Sequence, residues 1–233
     1  MYEPIVLSLK VALIALTVDA VLATLVARVM ARRDFPGKNL IESCIILPMV
    51  LPPTVLGYGM LILLGKRGPL GRLLLHLFDW QIVFTWWAAI FAAAVVSFPL
   101  MYQSAKAAFA SVDASLEQAA RTLGSSEWRV FLRVTLPLAY PGLLAGLVLS
   151  FARALGEFGA TLMVAGNIPG KTQTIPLAIY FAVETGDNIL ASNLVLVITG
   201  LSIAALFWLN LWSRKKLEIW QQGGNPHAKR VHS

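Results

Sequence analysis

Apolar residues in this chain fall in long unbroken runs, not at the spacing of an amphipathic helix or a half-buried strand. A helix needs about 20 predominantly apolar residues to cross a bilayer core, and five segments meet that demand. They are 5–29, apolar apart from Lys10, Asp19 and, at its end, Arg28; 43–65, uncharged throughout; 80–105, uncharged between Asp79 and Lys106; 139–164, interrupted by Arg153 and Glu157; and 188–213, between Asp187 and Arg214. A further apolar run, Thr172 to Val183, has 12 residues and contains Pro176. It is too short to span, so an interfacial or re-entrant helix is expected there. The pattern predicts an all-α integral membrane protein of about five transmembrane helices, with 1–233 as one transmembrane domain.

Between the third and fourth runs the pattern changes. Asp113 is placed to cap a helix in which Leu116, Ala119, Ala120 and Leu123 recur at i, i+3, i+4 and i+7. Gly124 stands where a helix ends in left-handed geometry. Ser125 or Ser126 is placed to cap a second short helix carrying Val130, Phe131 and Val134, with Pro137 as its stop. Segment 111–137 thus predicts two short amphipathic helices bent at a glycine, shaped to dock a soluble partner or to lie on lipid.

Composition supports the membrane reading. The chain is 58% hydrophobic and 13% charged, against about 25% charged residues in a soluble domain. Its net charge of +7 would point to nucleic acid in a soluble protein, so its distribution decides. Loops after the first, third and fifth runs hold 13 basic residues, including Arg28, Arg32, Arg33, Lys38, Lys106, Arg121, Arg214, Lys215, Lys216, Lys229 and Arg230. The other side holds 4, namely Lys66, Arg67, Arg72 and Lys171. By the excess of positive charge on cytoplasmic loops, the amino terminus is expected outside and the carboxyl terminus in the cytoplasm. The charge is then a topology signal, and no nucleic-acid partner is expected. The first nine residues hold Glu3 and no basic residue, unlike a cleavable signal. Cys44 is the single cysteine, which excludes an internal disulfide or multi-cysteine metal site; a buried apolar role is expected for it. His227 and His232 fall in a polar tail, leaving no histidine cluster for a metal or a base.

The run Glu117-Gln118-Ala119-Ala120-Arg121-Thr122-Leu123-Gly124, continuing to Leu136-Pro137, resembles the Glu-Ala-Ala loop of ABC-importer permeases. Gln118 holds the place of the usual Glu, with Glu117 just before it. The resemblance implies that 111–137 is a coupling loop seated in a cleft of an ATPase subunit, with Glu117, Gln118, Ala119, Ala120, Gly124 and Pro137 at the contact. The stretch Phe151 to Thr161, with Arg153-Ala154-Leu155-Gly156-Glu157, and then Gly166-Asn167-Ile168-Pro169-Gly170-Lys171, is similar to the permeases of molybdate importers. Sulfate permeases share the first part and usually diverge in the second. The family implies a permease homodimer, two cytoplasmic ATPase subunits and an external oxyanion-binding protein in a prokaryotic plasma (inner) membrane. It implies no catalysis or cofactor in this chain, with ATP and Mg on the partner subunit.

An ionisable residue within a span costs roughly 2.5–3.5 kcal/mol on insertion scales. Arg153 and Glu157 stand four apart and can neutralise each other, either as a structural pair or as the wall and gate of a polar pathway. Gly142, Gly146, Ser150 and Ala154 form a small-residue stripe for close helix packing. Pro48, Pro52 and Pro53 crowd the second run, where a kink beside Thr54 and Gly57 is tolerable against protein or a water-filled cavity. Pathway residues are therefore expected among Arg153, Glu157, Thr161, Pro52 and Thr54, with Asn167 and Lys171 on an external loop. Segment 165–172 nearly matches a phosphate-cradling loop, but Ala165 replaces the first glycine and the strand–helix setting is missing. Trp80, Trp86, Trp87, Trp208 and Trp212 are expected as interface anchors. Lys10 can snorkel outward, and it does not face Asp19 on a regular helix.

Overall fold

The computed structural model describes residues 2–223, with the side chains of 209, 210 and 212–223 left out. Expectations for Trp212, Arg214, Lys215, Lys216, His227, Lys229, Arg230 and His232 therefore lie outside the described residues. The elements are all helical: α1 Tyr2–Arg32, α2 Lys38–Val50, α3 Pro53–Leu64, α4 Pro69–Phe78, α5 Trp86–Ala110, α6 Ala114–Thr122, α7 Glu127–Val130, a π-helical turn Phe131–Thr135, α8 Leu136–Leu155, α9 Gly159–Ala165, α10 Ile175–Glu184 and α11 Asn188–Gly223. Among the described residues, four helices are long and apolar enough to cross a membrane, or five if the bent pair α2–α3 counts as one span.

The bundle is built around α5, flanked by α1 and α8. Alanine makes that arrangement possible. Ala12, Ala15, Ala23 and Ala27 of α1 and Ala88, Ala89, Ala92 and Ala93 of α5 are all enclosed. Small side chains let backbones approach, and dispersion replaces the hydrophobic drive that lipid does not supply. The stripe on α8 closes the other side: a Cβ on Gly142 would stand 2.6 Å from the Ala108 Cβ, and one on Gly146 2.7 Å from the Ser104 Cβ. It is a packing seam within this chain. At the centre of the α1–α5 seam, the Ser97 hydroxyl lies 2.6 Å from Asp19 Oδ2, which gives the buried carboxyl of the first run its polar partner.

Several sequence expectations are corrected. Segment 43–65 is not one helix: α2 and α3 are bent against each other by 116°, a sharp break rather than a kink. The third helix starts at Trp86 instead of 80, because 79–85 form a turn in which Asp79 and Phe84 have positive φ. Pro137 does not stop a helix. It sits in the first turn of α8, and the wider π turn before it relieves the clash that a proline ring makes with the carbonyl four residues back. Helix therefore runs from Glu127 to Leu155, and the fourth run breaks after Leu155 before resuming as α9. Within 66–79, where only a loop is expected, Pro69 opens α4. Cys44 is exposed, facing a groove with Asp19, Ile45, Pro48 and Phe98. The short run 172–183 is the ten-residue helix α10.

Candidate translocation and coupling sites

The two broken runs meet. At the first break Leu51 is extended, and Pro53 holds Pro52 at ψ 138, since a residue before proline is driven out of the helical region. Neither proline has an N–H to continue the ladder. At the second break, Phe158 leaves the helical region at φ −127 and α9 begins at Gly159. A Cβ on Gly159 would lie 2.7 Å from the Pro53 Cβ; one on Gly57 would lie 2.7 Å from the Met163 Cβ and 3.0 Å from the Ala160 Cα. The start of α3 thus rests directly on α9, backbone to backbone.

Glu157 organises the second break. One carboxylate oxygen accepts the Ala160 N–H at 2.9 Å, and the other pairs with Arg153 Nη1 at 2.8 Å. Its side chain is 2% exposed while that of Arg153 is 36% exposed, so the cation faces outward from a buried anion. Pro52 and Thr54 are exposed beside this junction, whereas Thr161 is enclosed. Of the sequence-derived pathway residues, Arg153, Pro52 and Thr54 have surface to offer a solute, and Glu157 and Thr161 are internal. In the sequence, Gly57 was noted only as a neighbour of the kink and Gly159 was given no role; a glycine four residues after Pro53 and one two residues after Glu157 were the available signals.

The second site is the loop 111–137. Asp113 caps α6 by accepting the Ser115 N–H at 2.8 Å, and Gly124 takes φ +82, the left-handed bend its place predicts. Ser126 occupies the cap position of α7 without a side-chain bond. The apolar stripe faces out: Leu116 is 48% exposed, Leu123 85% and, on α7, Trp128 67%. Gln118 and Ala119 are exposed with them, and Ala120 is half-buried. Pro137, at the far end of the segment, is exposed as well.

Glu117 turns the other way and is buried. Its Oε1 accepts from the Thr135 hydroxyl at 2.5 Å, Arg32 at 2.9 Å and Arg28 at 3.4 Å, while Oε2 lies 3.6 Å from Arg121. Burial pushes its carboxyl up, yet the Thr135 hydroxyl and the two α1 arginines outweigh that and hold it below the usual glutamate range. Arg121 also grips Glu127, with bonds of 2.5 and 3.1 Å. The loop is therefore bolted to the end of α1 through one carboxylate. Arg28 and Arg32, four apart at the end of an apolar run, were the sequence signal for these partners.

At the other end of the bundle, the segment after α9 is folded on itself. The Thr172 hydroxyl accepts the Ile168 N–H at 3.0 Å and donates to the Gly166 carbonyl at 3.1 Å. Asn167 Oδ1 is enclosed there without a partner. Lys171 is exposed and, with Lys10, Trp80, Trp86 and Trp87, lines a cavity of about 520 Å³. Lys10 is seated over the Trp86 ring, 3.8 Å from its centroid, and Trp86 stacks on Trp87 at 4.1 Å. Among the described residues no three His, Cys, Asp or Glu side chains group to hold a metal ion.

A helical membrane bundle with broken spans and a polar loop presenting apolar side chains has the build of a transport subunit. Residues 20–218 match the binding-protein-dependent transport system inner membrane component family, and the chain belongs to it. It is 50% identical over 208 residues to a putative molybdenum transport system permease of Bacillus subtilis, covering 89% of this chain and 92% of that one. Identity to the Escherichia coli molybdenum transport system permease is 44% over 219 residues, covering 92% and 96%. A sulfate transport system permease of Synechococcus elongatus is 38% identical over 204 residues, 88% of this chain and 71% of that one. The fold is that of a solved alginate ABC transporter in complex with its periplasmic protein, with a TM-score of 0.71 at 17% identity over 91% of this chain and 78% of that one. The chain is thus a membrane component of an importer and not a catalytic subunit.

Proposed function

We propose that this chain is the permease of an ATP-driven, binding-protein-dependent importer of molybdate or tungstate, translocating the oxyanion by alternating access. The observation that carries the reading is the 50% and 44% identity to molybdenum permeases over nearly the whole chain, above the 38% to a sulfate permease. Sulfate is the alternative substrate, and a passive anion channel the alternative class. All of 1–233 acts as one domain. Two copies form a homodimer with the pathway at or near their two-fold axis; exposed Val55, Tyr58 and Ile62 on α3 suit such an interface.

In this reading the amino terminus lies outside and the carboxyl terminus in the cytoplasm, with α2–α3 counted as one crossing. That orientation rests on the uneven split of basic residues. Two cytoplasmic ATPase subunits, which carry ATP and Mg, dock on 111–137; Leu116, Leu123 and Trp128 supply an apolar contact rimmed by Gln118 and Ala119. Closing the ATPase pair draws the two loops together, and the Glu117 cluster passes that movement to α1. The junction of Pro52, Thr54, Arg153, Glu157 and Thr161 serves as pathway wall and gate, with Arg153 held back by its carboxylate so that cargo is released. Asn167 and Lys171, outside, meet the oxyanion-binding protein or cover the mouth.

The test is uptake into proteoliposomes holding this chain, its ATPase and its binding protein. ATP-dependent molybdate uptake that resists equimolar sulfate is expected. Suppression by sulfate would keep the transporter and change its cargo, and flux without ATP would establish a channel instead.

A further inference from the structure

Beneath the bolt between α1 and the loop 111–137 lies a cavity of about 380 Å³, lined by Arg28, Arg32, Arg33, Arg121, Glu117 and Glu127. Its charges do not balance. Four guanidiniums face two carboxylates, and both carboxylates are occupied: Glu117 by Thr135, Arg32 and Arg28, and Glu127 by Arg121. A guanidinium has five N–H donors, so most of the donor capacity around the cavity is unspent. Arg33 is exposed and has no side-chain partner among the described residues. Arg28 is fixed in place by the Phe131 ring, 4.6 Å from its guanidinium carbon, so the basic wall is preformed. Arg28, Arg32 and Arg33 stand at the end of α1, where the apolar run stops, and Arg121 faces them from α6.

We propose that this cavity binds a phosphate group at the inner membrane surface, between α1 and the coupling helices. A tetrahedral phosphate offers several strong acceptor oxygens to planar, forked donors, and it supplies the negative charge that the cluster lacks. The group comes from an anionic phospholipid headgroup or from free inorganic phosphate. Its place at the inner surface and the coupling role of α6 and α7 rest on the function proposed above. Occupancy would tie the end of α1 to the loop through a second anion beside Glu117.

The experiment uses the full-length chain in its assembled transporter, reconstituted in nanodiscs. Retention of phosphatidylglycerol against phosphatidylcholine is read by native mass spectrometry. Binding of inorganic phosphate is titrated in discs of phosphatidylcholine alone. Arg33→Gln removes a cavity arginine without touching the Glu117 bolt, and Lys66→Gln is the control for net charge. One juxtamembrane arginine changes affinity by about fivefold, so Arg33→Gln is expected to weaken retention of phosphatidylglycerol by about that factor. Lys66→Gln should leave it unchanged. The same Arg33-dependent loss for inorganic phosphate, without lipid selectivity, would assign the site to free phosphate. Equal losses in the two variants, or no loss in either arm with Arg33→Gln, would overturn the site. None of these readouts requires transport, so failure here is distinct from failure of the molybdate reading.

Discussion

The bolt at Glu117 and the junction of α3 with α9 are both places where two elements are locked together, by opposite means. At Glu117 a buried carboxylate gathers a hydroxyl and three guanidiniums. The guanidiniums reach water, which lowers the cost of bringing charge together. The α3–α9 junction uses shape instead: glycines at 57 and 159 admit backbone and ring atoms where side chains would stand. Its charges are confined to one ion pair whose anion also caps a helix. The difference teaches that one buried carboxylate joins elements by gathering donors, whereas absence of side chain joins them by close approach of their backbones.

This contrast can be broken at its polar end first. Glu117→Ala strips the anion from Arg28 and Arg32 and leaves the enclosed Thr135 hydroxyl without its acceptor. A loss of about 2–3 kcal/mol is expected, below the figure for fully buried pairs because Arg28 and Arg32 keep 21% and 26% of their side-chain surface. Denaturant unfolding would measure it, and uptake should fall with ATPase activity retained if the joint transmits movement. At the apolar junction, Gly57→Ala pushes a methyl against Met163 and the Ala160 backbone. Overpacking of this kind costs about 1–3 kcal/mol, visible as a lower unfolding midpoint and slower uptake. An unchanged midpoint would show that the junction opens freely, against the packing account.

Gly124 tests the bend rather than the lock. It has φ +82 and nothing within 4 Å of a Cβ, so Gly124→Ala meets only the left-handed penalty of about 1–2 kcal/mol. Gly124→Pro cannot adopt that φ and loses the N–H bonded to the Arg121 carbonyl at 2.9 Å. Insertion should be normal and transport abolished; uptake at the wild-type rate would remove the loop from coupling.

The smallest effect is acid sensitivity. The Glu117 carboxyl is held below its ordinary value of 4.5, so its folded form binds fewer protons than the unfolded one. Its stabilisation is complete above that ordinary value and is lost as pH falls through the depressed folded one. Between pH 6 and 8 this joint should contribute no pH dependence to stability, whereas wild type should converge on Glu117→Gln as pH falls from 4.5 through the depressed folded value. Parallel pH profiles for the two proteins would show that the carboxylate charge is not what binds α1.

The five runs, the α6–α7 bend and the cap at Asp113 were legible because each depends on neighbours in sequence: apolar length, a capping side chain, a glycine in left-handed geometry. The second run reads in sequence as one kinked span, because three prolines announce a break without giving its angle of 116°. Pro137 misled for a related reason, since a π turn beforehand makes room for it. The expectation that Cys44 is buried failed because burial depends on what packs opposite. Asp19 lacked an account until α5 brought Ser97 to it.

The sequence by itself determined that this chain lives in a bilayer, which segments are helical, where the loop bends and which family it resembles. These follow from transfer free energy and local backbone geometry, both written in consecutive residues. Only the tertiary structure decided that Glu117 faces inward and Gln118 outward, and that the two breaks lie against each other. It also decided that four arginines enclose one cavity. Those outcomes depend on residues 80 to 110 positions apart meeting in space, and periodicity along one helix holds no record of its neighbour.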